Sequence, residues 1–95
     1  MSFYIGDIEV KNKLILAPMA GVSNSPFRRV SRQHGAGVVY AEMVSDKGLI
    51  HKNEKTISML FMTDEEKPMA QQIFGSDLDT MVEAAVYVDQ HSNCD

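Results

Sequence analysis

The chain has 95 residues, of which 44% are apolar, and this much apolar sequence is enough for one modest core. Its 9 Lys and Arg against 13 Asp and Glu give a net charge of −4, which argues against a chain that grips nucleic-acid phosphates by itself. The single cysteine, Cys94, excludes a disulfide framework and a cysteine-rich zinc site, and no apolar run approaches the roughly 20 residues of a membrane span.

The N-terminal ten residues predict a hairpin and not a targeting segment. Met1–Gly6 lacks the basic and then apolar layout of a signal peptide. Phe3–Ile5 and Ile8–Val10 flank Gly6-Asp7, a pair that is typical of a tight turn between two short strands. We therefore expect a cytoplasmic protein that binds no membrane and begins with a small β-hairpin.

An apolar run that stops at a proline predicts the first buried strand. Leu14–Ala17 has no polar alternation, which is typical of a strand covered on both faces in a parallel sheet. Pro18 cannot donate to a sheet ladder and Gly21 has no side chain, so Pro18–Gly21 is free to turn and to lie close against a flat group. A strand that ends abruptly before a helix places a ligand at the carboxyl end of a parallel strand.

The next segment predicts a short helix. Ser25 is expected as its N-cap, and Pro26 as its first helical residue. Gly35–Gly37 is expected to end it in a left-handed cap. A solvated helix face is favoured over a phosphate contact for three basic residues: Arg28, Arg29 and Arg32.

Two further strands alternate with helical segments. Val38–Val44 is nearly all apolar and predicts the second strand, while Pro68–Gly75 predicts the third. Between them, Ser45–His51 is expected as a loop or short helix and Asn53–Leu60 as a helical segment. The alternation of strands and helices implies right-handed crossovers and a parallel sheet.

The last predicted element is a helix that ends at about His91. Ser76 with Asp79 three positions later resembles a capping box at its start. The chain stops shortly after this helix, where a further strand is expected, so its end is interpreted as a truncation. The apolar stripe of the helix has a 3.6-residue period: Leu78, Met81, Val82, Ala85 and Val88. The histidines lack metal-ligand spacing, so no metal site is expected: His34, His51 and His91.

Five short motifs together resemble the N-terminal part of the tRNA-dihydrouridine synthases, which are FMN-dependent enzymes with a TIM barrel. In chain order, the motifs are Ala17–Val22, Pro26–Arg28, Gly35–Gly37, Glu42–Ser45 and Gln72–Gly75. Each motif alone is weak, but all five occur at compatible spacing. The resemblance implies an α/β fold made of the first three βα units of a (β/α)8 barrel, in one partial domain over residues 1–95.

The resemblance also implies a site and a reaction. Pro18, Met19 and Ala20 would form a backbone platform against FMN, and Gln72 would hydrogen-bond the flavin ring. The whole enzyme would use NADPH to reduce FMN and would transfer hydride to uridine in tRNA. The segment that carries the family's catalytic cysteine is absent, and Cys94 lacks its context, so no catalytic residue is assigned and the chain alone is expected to be inactive.

Three questions remain open from the sequence. The chain is alternatively part of another FMN-dependent barrel that acts on a small molecule. A second alternative is a non-catalytic remnant that self-associates through its exposed sheet edges. Glu42 either lies at the mouth of the barrel near substrate or, as is slightly favoured, pairs with a basic residue from an absent segment.

Overall fold

Residues 2–95, which the computed structural model describes, form a hairpin followed by alternating helices and strands, and the Met1 end of the predicted domain lies outside the described residues. The strands are β1 (Phe3–Ile5), β2 (Ile8–Val10), β3 (Val39–Ser45) and β4 (Met69–Phe74). The helices are α1 (Ser25–Gln33), α2 (Asp46–Ile50), α3 (Glu54–Ser58) and α4 (Leu78–His91), and a 3₁₀ turn spans Asp64–Glu66.

Strands β1 and β2 form the predicted hairpin. Their antiparallel pairing places Phe3 opposite Val10 and Ile5 opposite Ile8. Gly6 in the turn has a φ of 63°, which glycine adopts without the steric cost of a Cβ atom. The predicted hairpin is therefore confirmed.

The predicted strand Leu14–Ala17 does not form a continuous ladder. Ile15 makes a single parallel bridge with Val38, and the N–H of Leu16 donates to the Val38 carbonyl at 3.1 Å. Leu14 is 68% exposed, so the run is not covered on both faces. The prediction of a full strand is wrong because, within residues 2–95, the run has a β partner only on its β3 side.

Strands β3 and β4 form a parallel pair, as predicted for the second and third strands. Val39 lies opposite Met69 at the start of the pair. The register shifts between Ala41 and Val44, where a β-bulge adds one residue to β3. The run at Ile15 lies parallel to β3 on its other side, so three parallel segments follow one another without closing a barrel within residues 2–95.

The start of α1 differs from the prediction by one residue. Its N-cap is Asn24, whose Oδ1 accepts the N–H of Phe27 at 3.1 Å. Ser25 is the first helical residue instead, and Pro26 follows it in the first turn. Gly35 has a φ of 100°, which confirms the predicted left-handed end.

The helices after β3 lie where they were predicted, with one corrected cap. The Ser45–His51 segment contains α2, and the Asn53–Leu60 segment contains α3. The N-cap of α4 is Asp77 and not Ser76, because the Asp77 carboxylate accepts the N–H of Thr80 at 3.1 Å.

The core lies between the β3–β4 pair and helices α2 and α4. Of the predicted stripe on α4, Leu78 is 77% exposed and Val88 is buried. The stripe is rotated from its predicted position because the buried side of α4 runs through Ala84 and Val88. Two clusters make up the core, Val44, Leu49, Leu60, Ala84 and Val88 in one and Val39, Ala41 and Met69 in the other.

Candidate functional site

Pro18–Ser23 forms an exposed turn, which we call the platform turn. The carbonyl of Met19 accepts the N–H of Val22 at 3.0 Å and the N–H of Ser23 at 2.9 Å. Gly21 has a φ of 78°, a conformation that favours glycine. Because the Met19 and Val22 side chains are exposed, the turn presents apolar surface and backbone to solvent.

The platform turn is fastened to α1 through Ser23 and Arg28. The Oγ atom of Ser23 accepts the N–H of Met19 at 2.9 Å. The backbone carbonyl of Ser23 accepts a hydrogen bond from Nη1 of Arg28 at 2.7 Å. Nη2 of Arg28 donates to the Phe61 carbonyl at 2.9 Å. Ser23 is buried, so these bonds lie beneath the exposed part of the turn.

Arg28 is not part of a solvated helix face. It is 3% exposed, and its Nε donates to Oε1 of Glu66, which is 0% exposed. The other oxygen of Glu66 accepts the hydroxyl of Ser25 and the N–H of Thr63, both at 2.7 Å. Arg32 also turns inward and donates to carbonyl groups just beyond α1. The prediction fails because a buried charge is tolerated where an opposite charge and hydrogen bonds satisfy it.

The environment of Glu66 favours its ionised form. Burial raises the pKa of Glu66, but hydrogen bonds from Ser25, Arg28 and Thr63 and the charge of Arg28 outweigh burial. The pKa therefore lies below its ordinary value of 4.5. Thr63 and Glu66 form a capping box, a local signal that marks Glu66 as ordered but does not name its arginine partner.

Glu42 joins the platform turn to β3. Its Oε1 accepts the N–H of Gly21. Nε2 of Gln71 donates to the Glu42 carbonyl at 2.8 Å, which ties the bulged part of β3 to β4. Glu42 thus has a backbone partner in the turn, a contact that the sequence did not indicate.

Gln72 lies exposed in the carboxyl half of β4. Nε2 of its neighbour Gln71 also donates to the Gln72 carbonyl at 3.0 Å, so the hydrogen-bonded path from the platform turn through Glu42 ends beside Gln72. Oε1 of Gln71 is buried and unpartnered among residues 2–95. An unpaired buried acceptor is uncommon in folded proteins, and the sequence did not indicate Gln71.

A cavity of about 360 Å³ opens beside the start of α1, where Asn24 and Pro26 line it. Glu42 lies on its wall, and so do Arg29 and Phe61. Nε of Arg29 is buried and unpartnered within the described part of the chain. A carboxylate, a guanidinium and an aromatic ring on one cavity suit a ligand that has both polar and planar apolar groups.

The end of β4 is packed tightly against a buried carboxylate. A Cβ atom built on Gly75 overlaps the carboxylate of Asp46, so only glycine fits there. The same carboxylate accepts the N–H of Lys47 at 2.6 Å and the hydroxyl of Thr80 at 2.9 Å. The close approach therefore fixes the end of β4 against the starts of α2 and α4.

Other kinds of site find no support in residues 2–95. No three His, Cys, Asp or Glu side chains come together there as a metal site. No helix in this range is both long enough and apolar enough to cross a bilayer. Cys94 packs against both core clusters, which is the setting of a structural side chain.

Known proteins match most of the chain. The family profile of Dihydrouridine synthase (Dus) matches residues 15–95. The tRNA-dihydrouridine synthase B of Pseudomonas syringae pv. tomato is 48% identical over 82 residues, which are 85% of this chain and 24% of that protein. The enzyme of the same name from Pasteurella multocida is 41% identical over 81 residues, with the same two shares. The probable tRNA-dihydrouridine synthase of Aquifex aeolicus is 37% identical over 78 residues, which are 82% of this chain and 24% of that protein.

This chain thus spans 24% of the length of these three curated relatives. The matched range includes the platform turn, Glu42 and Gln72. Because the family profile covers far more than half of the sequence, the chain belongs to the dihydrouridine synthase family.

Proposed function

We propose that this chain is the N-terminal part of a tRNA-dihydrouridine synthase that uses FMN and NADPH to reduce uridine to 5,6-dihydrouridine in tRNA. Membership of the family and the names of the relatives support the reaction. The order of the three parallel segments supports the first βα units of a TIM barrel as the fold of the whole protein. The observation that carries the flavin part is the exposed platform turn, fastened beside the carboxyl half of a parallel pair.

The residues present fit a flavin ring. Met19 and Ala20 are exposed and Pro18 is half-buried, and together they offer a largely apolar surface on which a flat ring can lie. The exposed carboxamide of Gln72 supplies both a donor and an acceptor for the polar edge of the ring. FMN supplies the hydride-transfer chemistry when bound, and these residues bind and orient it.

The proposed RNA partner belongs to the whole protein. A uracil must leave its stack before it can lie parallel to a flavin ring. With a net charge of −4, this chain supplies little attraction for phosphates, so we expect the rest of the protein to hold tRNA. Cys94 packs against both core clusters, so we do not propose it as the catalytic acid.

The findings bear differently on the two alternatives, another FMN-dependent barrel and a self-associating remnant. Membership of the dihydrouridine synthase family counts against an FMN barrel that acts on a small molecule. Self-association remains a prediction, and the large apolar side chains left exposed within residues 2–95 favour it; they include Leu14, Ile15, Phe61, Phe74 and Leu78. Sedimentation equilibrium tests it, since a monomer at all concentrations counts against this alternative.

Titration of the purified chain with FMN, followed by flavin fluorescence, tests the proposed site. We expect saturable binding that weakens roughly three- to tenfold in Gln72→Ala, because one hydrogen bond to the ring is lost. Gln90→Ala is the matched control, since Gln90 is an exposed glutamine on α4. Equal affinities of the two variants would remove Gln72 from the site, and no binding by the unchanged chain would contradict a cofactor site within residues 1–95.

A further inference from the structure

A series of hydrogen bonds connects the platform turn to the buried Glu66. Glu66 holds the Nε of Arg28, and Arg28 donates Nη1 to the Ser23 carbonyl at 2.7 Å. Ser23 in turn accepts the N–H of Met19 at 2.9 Å through its hydroxyl. The chain of contacts thus runs from the 3₁₀ turn to the middle of the platform turn.

The two links that Arg28 makes, to Glu66 and to Ser23, are buried and directional, and the link from Ser23 to Met19 is partly buried. Ser23, Arg28 and Glu66 are all nearly inaccessible to solvent, so water does not compete for their hydrogen bonds. The planar guanidinium of Arg28 has donors committed to Glu66, to Ser23 and to the Phe61 carbonyl. A guanidinium that is held at three points fixes the carbonyl of Ser23 more closely than a flexible ammonium group does.

We infer that the buried Arg28–Glu66 pair positions the platform turn by way of Ser23. Arg28 is a positioning residue in this arrangement, since its donors are committed to Glu66 and to the carbonyls of Ser23 and Phe61. The effect of this positioning on flavin binding rests on the proposed function. The effect on the order of the turn is independent of the proposed function, because these hydrogen bonds are made within the chain itself.

Amide hydrogen exchange followed by NMR tests the inference without cofactor. Arg28→Lys keeps the charge and loses the fork of donors, and Ser23→Ala removes the acceptor for the Met19 amide. In both variants we expect the Met19 amide to exchange about tenfold faster while the amides of α4 change less than twofold, because one buried bond opens locally. Ser31→Ala is the matched control, since the Ser31 hydroxyl donates to the Phe27 carbonyl at 2.9 Å within α1 and does not contact the turn.

The double variant separates positioning from general destabilisation. If Arg28 acts through Ser23, adding Arg28→Lys to Ser23→Ala accelerates Met19 exchange by much less than it does in the unchanged chain. An equal acceleration in both backgrounds, an unchanged Met19 amide, or an equal acceleration of all amides including α4 overturns the inference.

FMN titration of the same variants gives the second readout. Arg28→Lys and Ser23→Ala are expected to raise the dissociation constant about tenfold, while Ser31→Ala leaves it unchanged. Absence of FMN binding by the unchanged chain would count against the proposed function alone, and the exchange data would still decide the positioning role. Normal FMN affinity in a variant with fast Met19 exchange contradicts the link between the order of the turn and the flavin site.

Discussion

The platform turn and the core around α4 are held by different forces. Polar groups hold the turn in place: the buried Glu66, Arg28 and Ser23 on one side and the half-buried Glu42 on the other. Apolar packing holds the core, where Leu49 and Val88 meet across α2 and α4. Hydrogen bonds are directional and fix the shape of a loop, whereas apolar burial is non-directional and supplies overall stability. The shape of the candidate site therefore depends on directional contacts, and the stability of the rest of the fold depends on packing.

The largest losses of stability are expected from removing one buried side chain of the polar contacts under the turn and one of the apolar core. Glu66→Ala leaves Arg28 buried without its partner and should lower the free energy of unfolding by about 3–5 kcal/mol. Leu49→Ala leaves a cavity in the core and should cost about 2–5 kcal/mol. Urea unfolding followed by circular dichroism measures both losses, and Glu65→Ala is the exposed control with an expected change within about 0.5 kcal/mol.

The two variants should differ in where they act. In folded protein, Glu66→Ala is expected to loosen the platform turn selectively, while Leu49→Ala lowers protection throughout the core. Identical exchange patterns in the two variants would contradict the division between a polar frame and an apolar core.

A smaller effect is expected from pH, and its direction follows from the lowered pKa of Glu66. A carboxyl whose folded-state pKa lies below its unfolded value stabilises the fold above that unfolded value. This stabilisation is lost as pH falls below 4.5 through the folded-state pKa. Glu66→Gln cannot ionise, so its stability deficit relative to the unchanged chain should shrink as the pH is lowered through this window.

Urea midpoints for both proteins between neutral pH and pH 3 provide the measurement. A deficit that stays constant over the whole range would show that the charge of Glu66 contributes nothing to folding. The two proteins differ only at position 66, so a deficit that changes with pH reports on the side chain at that position.

The smallest effect is expected at the N-cap of α4, the helix that packs on the apolar core. Asp77→Ala removes the acceptor for the Thr80 N–H and should cost about 1 kcal/mol. Ser76→Ala is the neighbouring control and should change the free energy of unfolding by less than about 0.5 kcal/mol. Thermal unfolding of the two variants distinguishes them, and a larger loss for Ser76→Ala would reinstate Ser76 as the cap.

Much of the fold could be predicted because its signals are local. The hairpin, the parallel pair of β3 and β4 and the left-handed end at Gly35 all follow from short runs and turn residues. Both N-cap predictions missed by one residue, since Asn24-Ser25 and Ser76-Asp77 each offer two adjacent capping side chains. Local preference alone does not choose between neighbouring good caps.

Sequence motifs indicated the residues proposed to contact the ligand but not the buried residues that support them. Pro18–Ala20 and Gln72 were chosen from motifs, and their ligand role remains a proposal to be tested by FMN titration. The groups that support them were missed or misjudged: Arg28 was expected in solvent, and neither Glu66 nor Gln71 was a candidate. Arg28 and Glu66 are 38 residues apart, and no pattern in the chain links them.

By itself, the sequence determined the order of the elements, the exposed glycine turn after the first apolar run, and the family. Each of these depends on residues that are neighbours along the chain, or on motifs whose spacing is visible in it. Tertiary structure alone decided that an arginine of α1 lies buried against Glu66 and holds the platform turn through Ser23. It also decided that Gly75 must remain glycine beside Asp46. Both depend on which distant segments meet in space, because the cost of burying a charge or a side chain is set by the partner it finds there.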